Sequence, residues 1–170
     1  DSSASGTSAI YIEDITERLP RQVATSHVDL SRPVWSQDCR WLFASDGKYA
    51  LYRFPASGGA GERFTNQPSY YATVIGDRVI FGVAEATGLA LWSKPAAGGP
   101  ERLIEQIPKL SYADAWTANS KGIYYTENAV NRPIVNFYDF ANGTAHRIMT
   151  LKHAPVPGGG LGIAVSPDGR

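Results

Sequence analysis

The chain has 170 residues, 43% of them hydrophobic, enough to bury a sizeable core as one domain. Its 16 Lys and Arg balance 16 Asp and Glu, so no net field draws it to nucleic acid or to an anionic membrane. One cysteine excludes an internal disulfide and a Cys-rich zinc site, and no apolar run approaches the roughly 20 residues of a membrane-spanning helix.

Residues 1–8 (DSSASGTS) are small and polar and read as a frayed terminus. Within 9–24, AIYIED and PRQVA read as two short strands. The connection ATSHVDLSRP then leads into the stretch 33–65, a series of short strand-like segments separated by turns, and the chain repeats that stretch. RWLFAS returns as RVIFGV and as GIYYTE; YALYRFPASGG returns as LALWSKPAAGG; GERFT returns as PERLI and as AHRIM. In second segments, Trp41, Val79 and Ile123 lie 38 and 44 residues apart. In third segments, Leu51, Leu91 and Val135 follow Ile10 at spacings of 41, 40 and 44. In fourth segments, Arg63, Arg102 and Arg147 follow Arg21 at 42, 39 and 45. Trp35, Thr73, Trp116 and Val165 align in first segments.

A period near 40–45 residues built from short Tyr-, Phe-, Trp-, Ile- and Val-rich segments is that of a four-stranded propeller blade. The fold class expected is therefore all-β, a β-propeller or partial propeller of four-stranded antiparallel blades. It would comprise a half blade at 9–24, blades at about 33–65, 71–105 and 112–151, and one last first strand in 161–170. Strands are expected at 40–45, 49–54, 78–83, 89–93 and 122–127, with no helix longer than about two turns. The start at Asp1 and the stop inside SPDGR suggest excision from a longer chain, leaving either a closed ring or, as we expect, an open arc that self-associates through its exposed blade faces.

The turns have readable chemistry. In SPDGR, Pro167 pre-sets φ and Gly169 supplies the residue with positive φ. Aligning WSQDCR with it places Cys39 at the position of Gly169, so an exposed thiol on a left-handed backbone is expected. Gly76-Asp77 reads as a two-residue hairpin turn. Gly58-Gly59, Gly98-Gly99 and Asn142-Gly143 mark the turns between third and fourth strands. Arg21, Arg63, Arg102 and Arg147 then fall on outer edge strands, where charge discourages edge-to-edge pairing.

SPDGR, WSQDCR, and LYRFPASGG followed by GERFT resemble the propeller repeats of the TolB-like, WD-repeat-like family, over residues 10–170. Such repeats also occur in the propellers of prolyl-oligopeptidase-type serine peptidases and of some bacterial membrane-linked winged-helix transcriptional regulators. The resemblance implies a recognition scaffold, a periplasmic or other extracytoplasmic setting, and, as the favoured parent, a regulator carrying this propeller as its sensor. Propellers host many activities, so function must come from the site.

No G-x-S-x-G nucleophile elbow is present, and no enzyme activity is expected. His27, His146 and His153 lack metal-ligand spacing, so neither a metal nor a cofactor is expected. PGGGLG precedes a strand and a turn, not the helix that a phosphate loop needs. What remains is a protein or small-molecule ligand bound by loops at one face. The connections from a fourth strand to the next first strand carry the functional groups: Arg32, Tyr70, Tyr71, Tyr112 and Asp114, with His27 and His153. Of these, Arg32, Tyr71, Tyr112 and Asp114 are expected to meet a ligand before 56–61 or 96–100 do. Trp35 and Trp116 are expected in the core. Alternatives are a substrate-gating peptidase propeller and a purely structural assembly module.

Overall fold

A computed structural model describes residues 8–16, 18–26, 30–46, 50–113, 115–127, 132–152 and 163–166. Among them there is no helix; every regular element is a strand. β1 (Ser8–Ile12) and β2 (Arg21–Ser26) form a two-stranded sheet. Three four-stranded sheets follow. The first holds β3 (Leu30–Trp35), β4 (Trp41–Asp46), β5 (Leu51–Pro55) and β6 (Glu62–Arg63). The second holds β7 (Ser69–Ile75), β8 (Arg78–Glu85), β9 (Gly88–Pro95) and β10 (Arg102–Leu103). The third holds β11 (Trp116–Asn119), β12 (Gly122–Glu127), β13 (Ile134–Asp139) and β14 (Thr144–Thr150). Within each sheet the strands pair antiparallel in sequence order, which is the meander of a propeller blade.

Strand alternation fixes how the blades stack. In β4, Leu42 and Ala44 point to the half blade and join Ile10, Val23 and Phe54. Phe43, between them, points the other way into a cluster with Leu51, Phe64, Val79, Phe81 and Val83. In β8, Val79, Phe81 and Val83 therefore face the preceding blade. Ile80 faces the following one, with Leu89, Leu91, Trp116, Ile123 and Tyr125. A strand covered on both faces must be apolar at every position, which explains the unbroken run Val79–Ile80–Phe81. Glycine fills the points where strands close on one another. A Cβ at Gly122 would lie 2.1 Å from the Tyr138 carbonyl oxygen.

Cationic side chains clamp neighbouring blades together at their turns. The Arg21 Nη2 donates to the Ala56 carbonyl at 2.8 Å, and the Arg53 Nη1 donates to the Ala96 carbonyl at 2.8 Å. Ala56 and Ala96 occupy the same place in PASGG and PAAGG, so the same turn carbonyl is capped at two successive seams, by arginines from different strands. The fourth-strand arginines Arg21, Arg63, Arg102 and Arg147 are exposed, as expected of an edge.

Two expectations need correction. Hairpins close at Ser36–Trp41, Ile75–Arg78 and Asn119–Gly122. Counting back from those pairs, Val34, Thr73 and Thr117 are equivalent; Trp35 lies one residue later and Trp116 one earlier. Trp35 is accordingly not a core residue and stays 44% exposed, whereas Trp116 is buried at 8%. The same count aligns Leu42, not Trp41, with Val79 and Ile123. At the C-terminal end, residues 163–166 of the expected last strand are not in a strand. A first strand is held by a second strand, and none pairs with it among the described residues. The remainder of 161–170, Gly169 included, lies outside them.

The turn predictions hold where described. Gly76 has φ 60°, and Cys39 is exposed with φ 56°. Replacing Cys39 with glycine removes the Cβ clash of the left-handed region, and Cys39→Gly is expected to gain about 1 kcal/mol in urea unfolding; a clear loss would show that the turn is unstrained.

Candidate functional site

The first strands of the three blades, β3, β7 and β11, run side by side and enclose a cleft of about 270 Å³. Arg32, Tyr71, Thr73, Trp116, Thr117 and Ile163 line it, with Ala72 and Ala113. It lies toward the end of the molecule where fourth strands hand over to first strands.

Arg32 and Tyr71 arrive there by the same local device. The β3–β4 register slips between Ser31 and Val34, and the β7–β8 register slips between Tyr70 and Ala72. At each bulge one side chain leaves the strand alternation and is re-aimed. Both bulged residues have positive φ, 51° for Arg32 and 43° for Tyr71. For non-glycine residues such conformations cost about 1–3 kcal/mol each and gather at functional sites. The re-aimed side chains meet across the seam, with the Arg32 guanidinium 3.8 Å from the centre of the Tyr71 ring. Among the described residues no carboxylate pairs with Arg32. The indole N–H of Trp116 is buried and meets no acceptor among the described residues.

The other proposed residues divide. Tyr70 is half-buried and packs against the core between the second and third blades. Tyr112 is 49% exposed and does not line the cleft. His146 stands on outer strand β14, its ring 5.7 Å from that of Phe137. His27, Asp114 and His153 lie outside the described residues. Among those that are described, no group of His, Cys, Asp and Glu is arranged to hold a metal ion.

A larger cleft, about 480 Å³, opens at the opposite end, between the turns of the first two four-stranded blades. Ser36, Asp38, Arg40, Trp41, Asp77 and Ala96 line it, and the sequence reading assigned none of them to a site. Its main polar groups already satisfy one another. The Ser36 hydroxyl donates to Asp38 at 2.6 Å, and the Arg40 Nε donates to the other Asp38 oxygen at 2.6 Å. These bonds, Ser36 first, hold the Asp38 carboxyl at about 2 rather than 3.8. The Arg53 guanidinium sits 4.2 Å over Trp41 while bonded to Ala96 and paired with Glu62. This cleft is a braced turn cluster. The smaller one, whose arginine has no carboxylate partner among the described residues, is the better candidate.

No family model matches the chain, and no curated protein matches it. Solved structures do. A TolB-designated protein of Agrobacterium tumefaciens shares 22% identity at a TM-score of 0.62, over 84% of this chain and 53% of that one. TolB from Acinetobacter baumannii shares 18% at 0.56, over 82% and 37%. The tricorn protease shares 13% at 0.59, over 95% and 16%. The chain thus spans about half or less of each, and these likenesses establish the TolB-like propeller fold.

The Asp38 brace has a pH signature. Its lowered carboxyl pKa contributes stability that is present above about 3.8 and is lost as pH falls through about 2. Asp38→Asn should therefore destabilise the chain at pH 5 to 7 and match the parent near pH 1.5; an equal deficit at every pH would mean that the carboxylate's charge does nothing.

Proposed function

We propose that this chain is a non-catalytic recognition module, a propeller scaffold that takes a protein or small-molecule ligand at the cleft between its first strands. The observation that carries this reading is the pair of strained, re-aimed residues, Arg32 and Tyr71, which converge on one cleft from two blades. Two non-glycine residues stand in the left-handed region at the same point of successive blades, a cost of the kind that gathers at functional sites. The extracytoplasmic setting and the sensor role in a larger regulator rest on the repeat resemblance, and the TolB likeness supports the former. A second reading draws on the likeness to the tricorn protease: here the propeller would admit substrate to a peptidase without performing chemistry.

The reading also includes self-association. Tyr124 occupies the place that Phe43 and Ile80 hold in the preceding blades, where those residues face the next blade. On the outer face of the third blade its ring lies 4.6 Å from that of Phe137. Light scattering at high concentration should report a dimer or larger assembly; a monomer throughout would remove this element.

To locate the site, the uniformly ¹⁵N-labelled chain is titrated with a mixed-sequence pentapeptide pool and its backbone amide shifts are followed. The expected changes concentrate at 31–33, 70–73 and 113–117. Changes confined to 36–41 and 95–98 would move the site to the opposite end of the blades.

A further inference from the structure

The cleft's chemistry narrows the ligand. Resting on the recognition reading above, we infer that this cleft is a carboxylate site, with Arg32 as the anion-binding group and an apolar wall for whatever carries the carboxylate.

Arg32 is exposed and its guanidinium carbon lies 3.8 Å from the centre of the Tyr71 ring. Stacking occupies the face of a guanidinium and leaves its N–H edge free, and that edge matches the two oxygens of a carboxylate. The three other arginines of the first four-stranded blade already have acceptors. Arg53 bonds Ala96 and Glu62, Arg40 bonds Asp38, and Arg63 bonds the Thr65 carbonyl. Among the described residues, Arg32 meets only the Tyr71 ring.

The remaining lining decides between anions. Among the described residues no second cation joins Arg32 and Tyr71 there; the other contributors are Thr73 and Thr117, two alanines, Ile163 and the Trp116 side chain. A phosphate dianion calls for more positive charge than one arginine, whereas a monoanionic carboxylate beside an apolar group fits one cation and one apolar wall. At about 270 Å³ the space is slightly smaller than a drug-sized pocket, which suits one or two residues of a peptide. Two sources offer this chemistry: the C-terminal residue of a peptide, and an Asp or Glu side chain.

Three small probes separate the possibilities: N-acetyl-leucine, N-acetyl-leucinamide, and N-acetyl-glutamate α-amide. Each is titrated into the ¹⁵N-labelled chain while the Trp116 indole N–H signal, assigned by its loss in Trp116→Phe, is followed. N-acetyl-leucine is expected to shift that signal saturably, and the uncharged leucinamide to bind at least about tenfold more weakly. Arg32→Gln should weaken N-acetyl-leucine by a similar factor. Arg32→Lys, which keeps the charge without the planar fork, should fall between the two. Amide spectra of both variants establish that the fold is intact. A stronger response to the glutamate probe than to acetyl-leucine would assign the carboxylate to a side chain and still support the inference. Equal binding of acetyl-leucine and its amide would overturn the carboxylate assignment while leaving the cleft as a binding site. No shift of the Trp116 signal with any probe would overturn both.

Discussion

Everything in this fold depends on covering both faces of each blade. β4 and β8 are apolar on their two sides because a blade lies against each. Leu42 and Phe43 point to opposite neighbours, as do Val79 and Ile80. No such sheet is stable alone in water, since the apolar residues of both its faces would stand in solvent. The polar groups at the seams follow the same logic. Arg21 and Arg53 reach across to cap the turn of the next blade. Glu101 meets Lys94 at 3.5 Å within its own blade while accepting the Asn66 N–H at 2.8 Å, so a largely buried charge is shared across the junction. Deep within the first four-stranded blade, Thr65 accepts the Leu51 N–H and touches the Ser69 hydroxyl, leaving no polar atom of that group unmatched.

The cleft is a by-product of this stacking turned to use. Blades that pack face to face bring their first strands together at one axis, and the strand backbones there have no further sheet to join. Regular strands would alternate their side chains between the two seams. The bulges at Arg32 and Tyr71 break that alternation and send one residue from each of two blades toward the axis. The third blade contributes Trp116 and Thr117 in regular pairing with Tyr125 and Tyr124.

The parts of this architecture that follow hydrophobic periodicity were legible in the sequence. Leu51, Leu91 and Val135 pair with Ser45, Gly82 and Thr126, the same ladder position in each blade, and all three are buried. The strand over Gly122–Glu127 was readable to the residue because glycine and a turn bound it. Cys39 was legible through its alignment with a glycine in a repeated turn. First strands were harder. Their hairpins enclose four residues in one blade and two in the others, so matching tryptophan to tryptophan slid the register by two positions. The expected binding-loop residues included Arg32 and Tyr71, but not their contact: Pro33 marks the bulge in β3, whereas no glycine or proline adjoins the one at Tyr71. The braced turn cleft was invisible for a different reason: Asp38, Trp41 and Asp77 meet Ala96 only once two blades have packed.

Amide hydrogen exchange tests the stacking account most directly. If mutual cover is what stabilises the blades, the slowest-exchanging amides will be those of the second strands, 42–44, 79–83 and 123–126, with β6, β10 and β14 exchanging fastest. Protection spread evenly across all four strands of each blade, or greatest in β14, would contradict it.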